Sequence, residues 1–308
     1  MINRVLIRLK VLQIVYAYYQ KNDQDLKSAE NELIQSLQKS YDLYNYLLQL
    51  VLTLTDAEQK RLDALKHKYL PTEKELNPDI RFINNRFAEQ LATNETLSSF
   101  TNKKGYLLQY EDAGFVRQLL EQIISSDIYE EYMQAPDSYE NDKEIWKKIT
   151  KKIILENQDF IDLLEEKSIY WDSDLEIVGS FVLKTMNRFN QENSAQQELS
   201  PMYKNEDDRQ FAILLLHKSI LEYQENKELI DSQIKNWDLE RIAIMDLYIM
   251  QIALTEIKNF SSIPLSVSLN EYIDLARYYS TPKSTHFING ILDGVVNELK
   301  KDGKLFKN

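Results

Sequence analysis

Hydrophobic residues recur at helical spacing along almost the whole chain, and no segment shows the strict alternation of apolar and polar residues that is typical of a β-strand. The clearest helical patterns cover residues 25–69, 115–133, 144–155, 175–189 and 207–236. Only six glycines and six prolines occur among 308 residues, so few positions break a helix. The sequence therefore predicts an all-α protein, in which the polar residues 71–110 form an excursion or a linker with one short helix near residues 82–91.

Charge is unevenly distributed along the chain. The net charge is −12, and residues 111–176 account for most of it, with 18 acidic and 7 basic side chains. The first helical pattern is different, because Arg4, Arg8 and Lys10 lie largely outside its apolar stripe and residues 1–20 contain no acid. Residues 299–308 contain four lysines and one aspartate. If the terminal helices lie together, these two ends are predicted to form a local cationic surface on an acidic protein.

The segment 262–294 contains two predicted helix starts. Pro264 and Pro282 each occupy a suitable first helical position, where the missing N–H costs nothing. In the second of these helices, Gly290 and Gly294 fall four residues apart on one face. A glycine inside a helix costs about 1 kcal/mol relative to alanine. Both glycines are therefore predicted to face a closely packed neighbouring helix.

Three segments of the chain carry sets of residues whose order and spacing can be compared with known families. The segment 262–294 carries Pro264, Asn270, Glu271, Phe287, Asn289, Gly290, Leu292 and Asp293. The preceding helical pattern carries Trp237, Arg241, Asp246, Ala253 and Glu256, and the first one carries Arg4, Arg8, Gln13 and Tyr16. In identity, order and spacing, these residues resemble the signature residues of the NusB transcription antitermination family. The resemblance covers roughly the first 20 and the last 100 residues and is most specific at the C-terminus.

The resemblance implies a NusB-like helical bundle with an additional inserted helical lobe. Residues 1–70 are expected to form the N-terminal helices of the core and residues 206–308 its C-terminal part, with residues 71–205 as an acidic helical insertion. Residues 41–71 match the family's third helix about as well as residues 211–234 do. Two explanations of this similarity therefore remain open: an internal duplication, and chance similarity between periodic helices.

The resemblance also implies a function. Members of the family bind boxA, a short single-stranded element of ribosomal RNA transcripts, together with NusE, a ribosomal small-subunit protein, and the complex joins RNA polymerase and suppresses termination. Because cations pair with phosphates and aromatic rings stack on bases, the residues expected at the RNA are Arg4, Arg8, Lys10, Lys283, His286 and Phe287. Tyr16 and Asp246 are expected on the face that binds NusE.

Other classes of function receive little support. The chain has no cysteine, which excludes disulfides, catalytic thiolates and zinc-cysteine sites and favours a cytoplasmic location. No run approaches the 18 or so apolar residues of a membrane-spanning helix. The three histidines fit no catalytic motif, so no enzyme activity, cofactor or metal site is expected.

Two alternatives to an antitermination factor are open. The first is a helical scaffold protein that keeps the NusB-like fold without binding RNA. The second is an RNA-modifying enzyme in which a NusB-like domain is one module, and it requires an additional cofactor-binding domain.

Overall fold

The computed structural model describes residues 1–21, 25–234 and 242–305. Within these residues the regular structure is helical, apart from an isolated β-bridge between Ile2 and Tyr203, which confirms the all-α prediction. None of the described helices is long and apolar enough to cross a membrane. Trp237 and Arg241, two residues of the family-like pattern, lie outside the described residues.

The helices are α1 (Arg4–Gln20), α2 (Leu26–Lys66), α3 (Glu73–Leu76), α4 (Arg86–Ala92), α5 (Glu95–Lys104), α6 (Ala113–Ile124), α7 (Asp127–Gln134), α8 (Tyr139–Ile149), α9 (Gln158–Lys167), α10 (Leu175–Arg188), α11 (Glu206–Leu221), α12 (Tyr223–Gln233), α13 (Ile244–Asn259), α14 (Leu265–Tyr279) and α15 (Pro282–Lys301).

The chain divides into two compact units. The central unit comprises Met1 and Gln38–Met202, and the terminal unit comprises Ile2–Leu37 with the described residues from Tyr203 onward. Helix α2 contributes its residues up to Leu37 to the terminal unit and its remaining residues to the central unit. Residues 38–70 therefore pack with the acidic segment, whereas the predicted domain boundary lay at 70/71. That the acidic segment is an insertion stays a prediction.

Helix α13 is the innermost helix of the terminal unit. It packs against α1, α11, α12, α14 and α15, and its residues Asp246 to Ile257 are all buried, as expected for a helix that is apolar around most of its circumference. Two polar side chains buried at this helix donate hydrogen bonds to neighbouring groups, although Oε1 of Gln251 has no partner among the described residues. Gln251 donates to the carbonyl of Ser219, and Asn226 donates to the hydroxyl of Thr255 at 2.9 Å.

Helix α1 is more deeply buried than its sequence pattern predicts. Arg8 and Lys10 are buried along with the apolar residues between Leu6 and Val15. The expected basic amphipathic helix, with these two cations outside the apolar stripe, is therefore wrong. The physical reason is that both α11 and α13 pack against α1, so more than one of its sides is covered.

An aromatic core organises the central unit. Trp146 of α8 is fully buried, and its ring centroid lies 5.1 Å from that of Phe82. Helix α4 packs on α8, and its N-cap residue Asn85 donates to the carbonyl of Asp142 at 2.9 Å. The stretch 71–110 is thus part of a packed unit, and its prediction as a linker is wrong because Phe82 fills the core.

Candidate nucleic-acid interface

The two units differ in charge. The sequence of the central unit contains 29 acidic and 19 basic residues, and that of the terminal unit contains 20 and 18. Net charges of −10 and −2 follow, so a polyanion meets much less repulsion at the terminal unit. All the predicted RNA and partner residues belong to this unit.

Arg8 is the centre of a buried ion network. Its Nε and Nη2 donate to the two carboxylate oxygens of Glu256 at 2.7 and 2.8 Å, and its Nη1 donates to Glu271 at 3.1 Å. Glu256 also accepts hydrogen bonds from the hydroxyls of Ser268 and Tyr272, at 2.8 and 2.9 Å. The Arg8 side chain is 3% exposed and that of Glu256 is 0% exposed. This guanidinium is directed at carboxylates of its own unit and is not available to phosphates.

The electrostatics of this pair agree with a structural role. Burial lowers the pKa of Arg8, but the bond to Glu256 and its charge outweigh burial, so the pKa lies above the ordinary value. Burial raises the pKa of Glu256, but the hydrogen bonds with Arg8, Ser268 and Tyr272 lower it by more, so this pKa lies below its ordinary value. Both groups therefore stay charged at neutral pH and hold α1, α13 and α14 together.

The other predicted cations of α1 have different surroundings. Lys10 is completely buried. Arg4 is partly exposed, lies 3.4 Å from the carboxylate of Asp208 and places its guanidinium carbon 5.0 Å from the ring centroid of Phe211. Arg4 is therefore the one of these three cations that retains access to solvent.

Helix α15 presents an exposed stripe made of Lys283, His286, Gly290 and Asp293, spaced three, four and three residues apart. Phe287 lies half-buried beside it. The stripe begins in the first turn of α15, where the unpaired backbone N–H groups and the helix dipole favour an anion. The cationic and aromatic residues predicted for RNA in this helix are thus neighbours on one accessible surface.

Gly290 and Gly294 have different environments, although the sequence predicted the same one for both. A Cβ at Gly294 would lie 2.6 Å from Oε1 of Gln233 on α12, so this glycine does permit close packing. A Cβ at Gly290 would meet nothing within 4 Å, so the packing predicted for Gly290 is wrong. Gly290 lies in the exposed stripe and leaves the α15 backbone open to an approaching group.

We expect Gly290→Ala to raise the free energy of unfolding by about 1 kcal/mol, because alanine is the better helix former and has room. Gly294→Ala should raise the free energy of unfolding by less, since the side chain of Gln233 must move to make room. Urea unfolding followed by circular dichroism measures both. Gly114→Ala is the matched control in the central unit, because Gly114 is also helical, exposed and free of contacts at its Cβ position. Equal stabilisation by all three substitutions would contradict the difference between Gly290 and Gly294.

The RNA residues predicted in α15 lie near the C-terminal half of α1, whereas Arg4 lies at the N-terminal end of α1. Arg8 contacts Glu271 and Gln13 contacts Tyr279, so α1 and α14 run in the same direction. Helix α15 begins three residues after Tyr279, near the Gln13 end of α1, whereas Arg4 lies nine residues away from Gln13, or about 14 Å along the helix. A ligand that contacts both ends must extend along the unit, as a single strand of several nucleotides does.

The predicted partner residues Tyr16 and Asp246 also differ in accessibility. Tyr16 is exposed and packs edge-on against Tyr248, with ring centroids 6.0 Å apart. Asp246 is only 4% exposed and accepts a hydrogen bond from the Ser280 hydroxyl, between α14 and α15. Tyr16 is thus available to a partner, whereas Asp246 links the start of α13 to the junction of α14 and α15.

Sequence reasoning missed the partners of Arg8. Glu256 and Glu271 were recognised as parts of a pattern, but not as the acids that neutralise this arginine. The available signal was a carboxylate flanked by apolar residues, Leu254 and Ile257, since a buried carboxylate requires a partner.

Comparisons with known proteins bear on the same residues. The family model described as "NusB family" matches residues 173–297. Proteins named "Transcription antitermination protein NusB" are similar to this chain. The protein from Salinibacter ruber is 35% identical over 107 residues, which are 35% of this chain and 67% of the relative. The protein from Chloroherpeton thalassium is 39% identical over 100 residues, 32% of this chain and 47% of the relative.

A third relative of the same name, from Natranaerobius thermophilus, is 37% identical over 97 residues, 32% of this chain and 70% of the relative. No solved structure matches the chain. The sequence relatives confirm the resemblance read from the C-terminal residues. At this identity and coverage of the relatives, the chain belongs to the NusB family.

Proposed function

We propose that this protein is a transcription antitermination factor that binds boxA-type single-stranded RNA in ribosomal RNA transcripts together with NusE and joins the antitermination complex on RNA polymerase. Membership of the NusB family supports the proposal, since the similar proteins are named for transcription antitermination. The observation that carries it is the exposed stripe of α15 with Phe287 beside it. Binding without turnover is the proposed activity.

The proposed RNA surface is smaller than the set of residues predicted from the sequence. It contains Lys283, His286 and Phe287, with Arg4 at the far end of α1. Arg8 and Lys10 are left out because both are buried. Few cations then face the RNA, and we expect the isolated protein to bind boxA weakly and NusE to strengthen binding.

The direct test is an affinity measurement with a labelled boxA-type RNA, with and without NusE. Saturable binding that NusE strengthens supports the proposal. If the folded protein binds NusE and no RNA under either condition, the scaffold alternative replaces it.

Lys283 and Phe287 are expected to affect RNA binding in different ways. Lys283→Gln should reduce the slope of log affinity against log salt by about 0.7, because one phosphate contact and its released counterion are lost. Phe287→Ala should cost about 1–3 kcal/mol of binding free energy and leave the slope unchanged, because stacking releases no ion. Lys204→Gln, at an exposed lysine outside the proposed surface, is the control for charge. A lowered melting temperature for Phe287→Ala would assign this residue to the core instead.

Tyr16 is the proposed contact with NusE. Tyr16→Ala should weaken NusE binding by about 1–3 kcal/mol, since exposed tyrosines often dominate interface energies. Tyr69→Ala removes an equally large exposed ring from the central unit and should have no effect. Asp246 is proposed to support this surface through its bond with Ser280. Unchanged NusE affinity in a folded Tyr16→Ala protein, measured by calorimetry, would exclude this face.

A further inference from the structure

We propose that the central unit binds a basic amphipathic helix of another protein in a groove between α2 and α6. The groove has a volume of about 1270 Å³ and lies entirely within the central unit. Residues 52–64 of α2 form one wall, and Tyr106 to Glu121, which includes most of α6, form the other. The inference goes beyond RNA and NusE binding and does not depend on either.

The dimensions of the groove suit a helix. The α2 wall from Leu52 to Ala64 is about 18 Å long, which corresponds to three helical turns. Its lining includes the apolar residues Ala57, Val116 and Leu120, and small side chains such as Ala57 allow a partner to approach closely. An apolar floor of this length accepts the leucine-type anchors that an amphipathic helix presents on one face.

Two tyrosines line the groove, and one of them is almost entirely exposed. Tyr110 is 94% exposed, and Tyr106 is 44% exposed. A ring as exposed as that of Tyr110 contributes little to the stability of its own unit. Exposed tyrosines are, however, enriched among the residues that contribute most to binding in protein interfaces. Tyr110 is therefore available to contact a bound helix.

Two cations of the groove are already neutralised. Lys60 lies 2.6 Å from the carboxylate of Asp56, and Arg61 lies 2.6 Å from that of Glu58. Because both pairs are formed within α2, these cations offer little attraction to an acidic ligand.

The charges that remain are mainly negative. Glu89 and Glu121 are exposed in the groove and form no ion pair with any described residue, and the same holds for one cation, Arg117. A second hollow shares Arg61 and Glu121 with the groove and adds the exposed carboxylate of Asp159. In the groove itself two carboxylates without an ion pair among the described residues face one guanidinium, and Asp159 of the neighbouring hollow adds a further negative charge. In a unit of net charge −10, this excess favours a basic partner and disfavours nucleic acid.

The test uses the full chain and two labelled peptides of about 14 residues, each with leucines at helical spacing. The remaining positions are lysine in one peptide and glutamate in the other. We expect saturable binding of the lysine peptide by fluorescence anisotropy, at least about tenfold tighter than binding of the glutamate peptide. Hydrogen exchange should show new protection in residues 52–64 and 106–121. Absence of saturable binding, or equal affinity for the two peptides, overturns the proposal.

Matched variants locate the site. Tyr110→Ala should weaken binding of the lysine peptide at least about fivefold. Tyr69→Ala removes a ring that is 96% exposed outside the groove, and it should change the affinity for this peptide less than about twofold. Glu121→Lys should weaken binding more than Glu165→Lys, which reverses an exposed charge of α9 outside the groove. Equal effects within either pair overturn the proposal. So does displacement of the peptide by single-stranded RNA, or self-association of the protein that Tyr110→Ala abolishes.

Discussion

Replacing Arg8 by alanine is expected to lower the free energy of unfolding by about 3–5 kcal/mol, because it leaves a buried carboxylate without its charged partner. Glu256 is fully buried, and the two bonds that it accepts from Arg8 are 2.7 and 2.8 Å long. Its remaining partners, Ser268 and Tyr272, are neutral hydroxyls that do not replace a positive charge. Urea unfolding followed by circular dichroism measures the loss.

A control and a double replacement separate the buried pair from the outer carboxylate. Glu271→Ala removes the partner that is 28% exposed and should cost about 1 kcal/mol or less. Replacing Arg8 and Glu256 together by apolar residues should cost less than the sum of the two single replacements, because each single variant buries an unpaired charge and the double variant buries neither charge. A loss below about 1 kcal/mol for Arg8→Ala would contradict this account of the network.

The effect of Arg8→Ala should depend on pH. In the native protein the pKa of Glu256 lies below its ordinary value, so the pair contributes stability above the unfolded pKa, and this contribution is lost as pH falls through the folded pKa. In the variant, burial acts without Arg8 and raises the pKa of Glu256, so the folded state is penalised at neutral pH and relieved in acid. The difference in the free energy of unfolding between the two proteins should therefore be largest near neutral pH. It should shrink as the pH falls below the ordinary pKa of glutamate.

Trp146→Ala should destabilise the central unit by about 3–5 kcal/mol, because it leaves a large cavity in the aromatic core. The indole is fully buried and lies against Phe82. Hydrogen exchange resolved along the chain should show the loss of protection within residues 38–202, whereas Arg8→Ala should show it among the terminal helices.

Trp146→Phe distinguishes packing from hydrogen bonding in this core. The indole Nε1 is buried and has no hydrogen-bond partner among the described residues. Phenylalanine removes this unsatisfied group and keeps an aromatic ring, so we expect a cost of about 1–2 kcal/mol. A cost equal to that of alanine would show that the indole N–H does have a partner in solution.

The sequence by itself determined the helix starts and the family. Helix α15 begins at Pro282, as predicted, whereas Pro264 is the N-cap residue of α14, one position before the first helical position predicted for it. Such signals are local, because proline acts on its own backbone and on the preceding turn. The predicted helix over 175–189 corresponds to α10, because the spacing of its apolar residues is also a local signal. The C-terminal family residues are recognisable because their spacing lies within two consecutive helices.

Helix breaks and burial were decided by the tertiary structure. The pattern over 207–236 predicts one helix, but the chain turns at Glu222 between α11 and α12, where no proline or glycine marks the change. Arg8 finds Glu256 at a distance of 248 positions along the chain, and Gly290 faces solvent although its spacing to Gly294 is that of a packed face. Periodicity shows which residues share a side of a helix. Which sides are covered depends on neighbours distant in sequence, and this is why the buried arginine and the exposed glycine could not be read from local pattern.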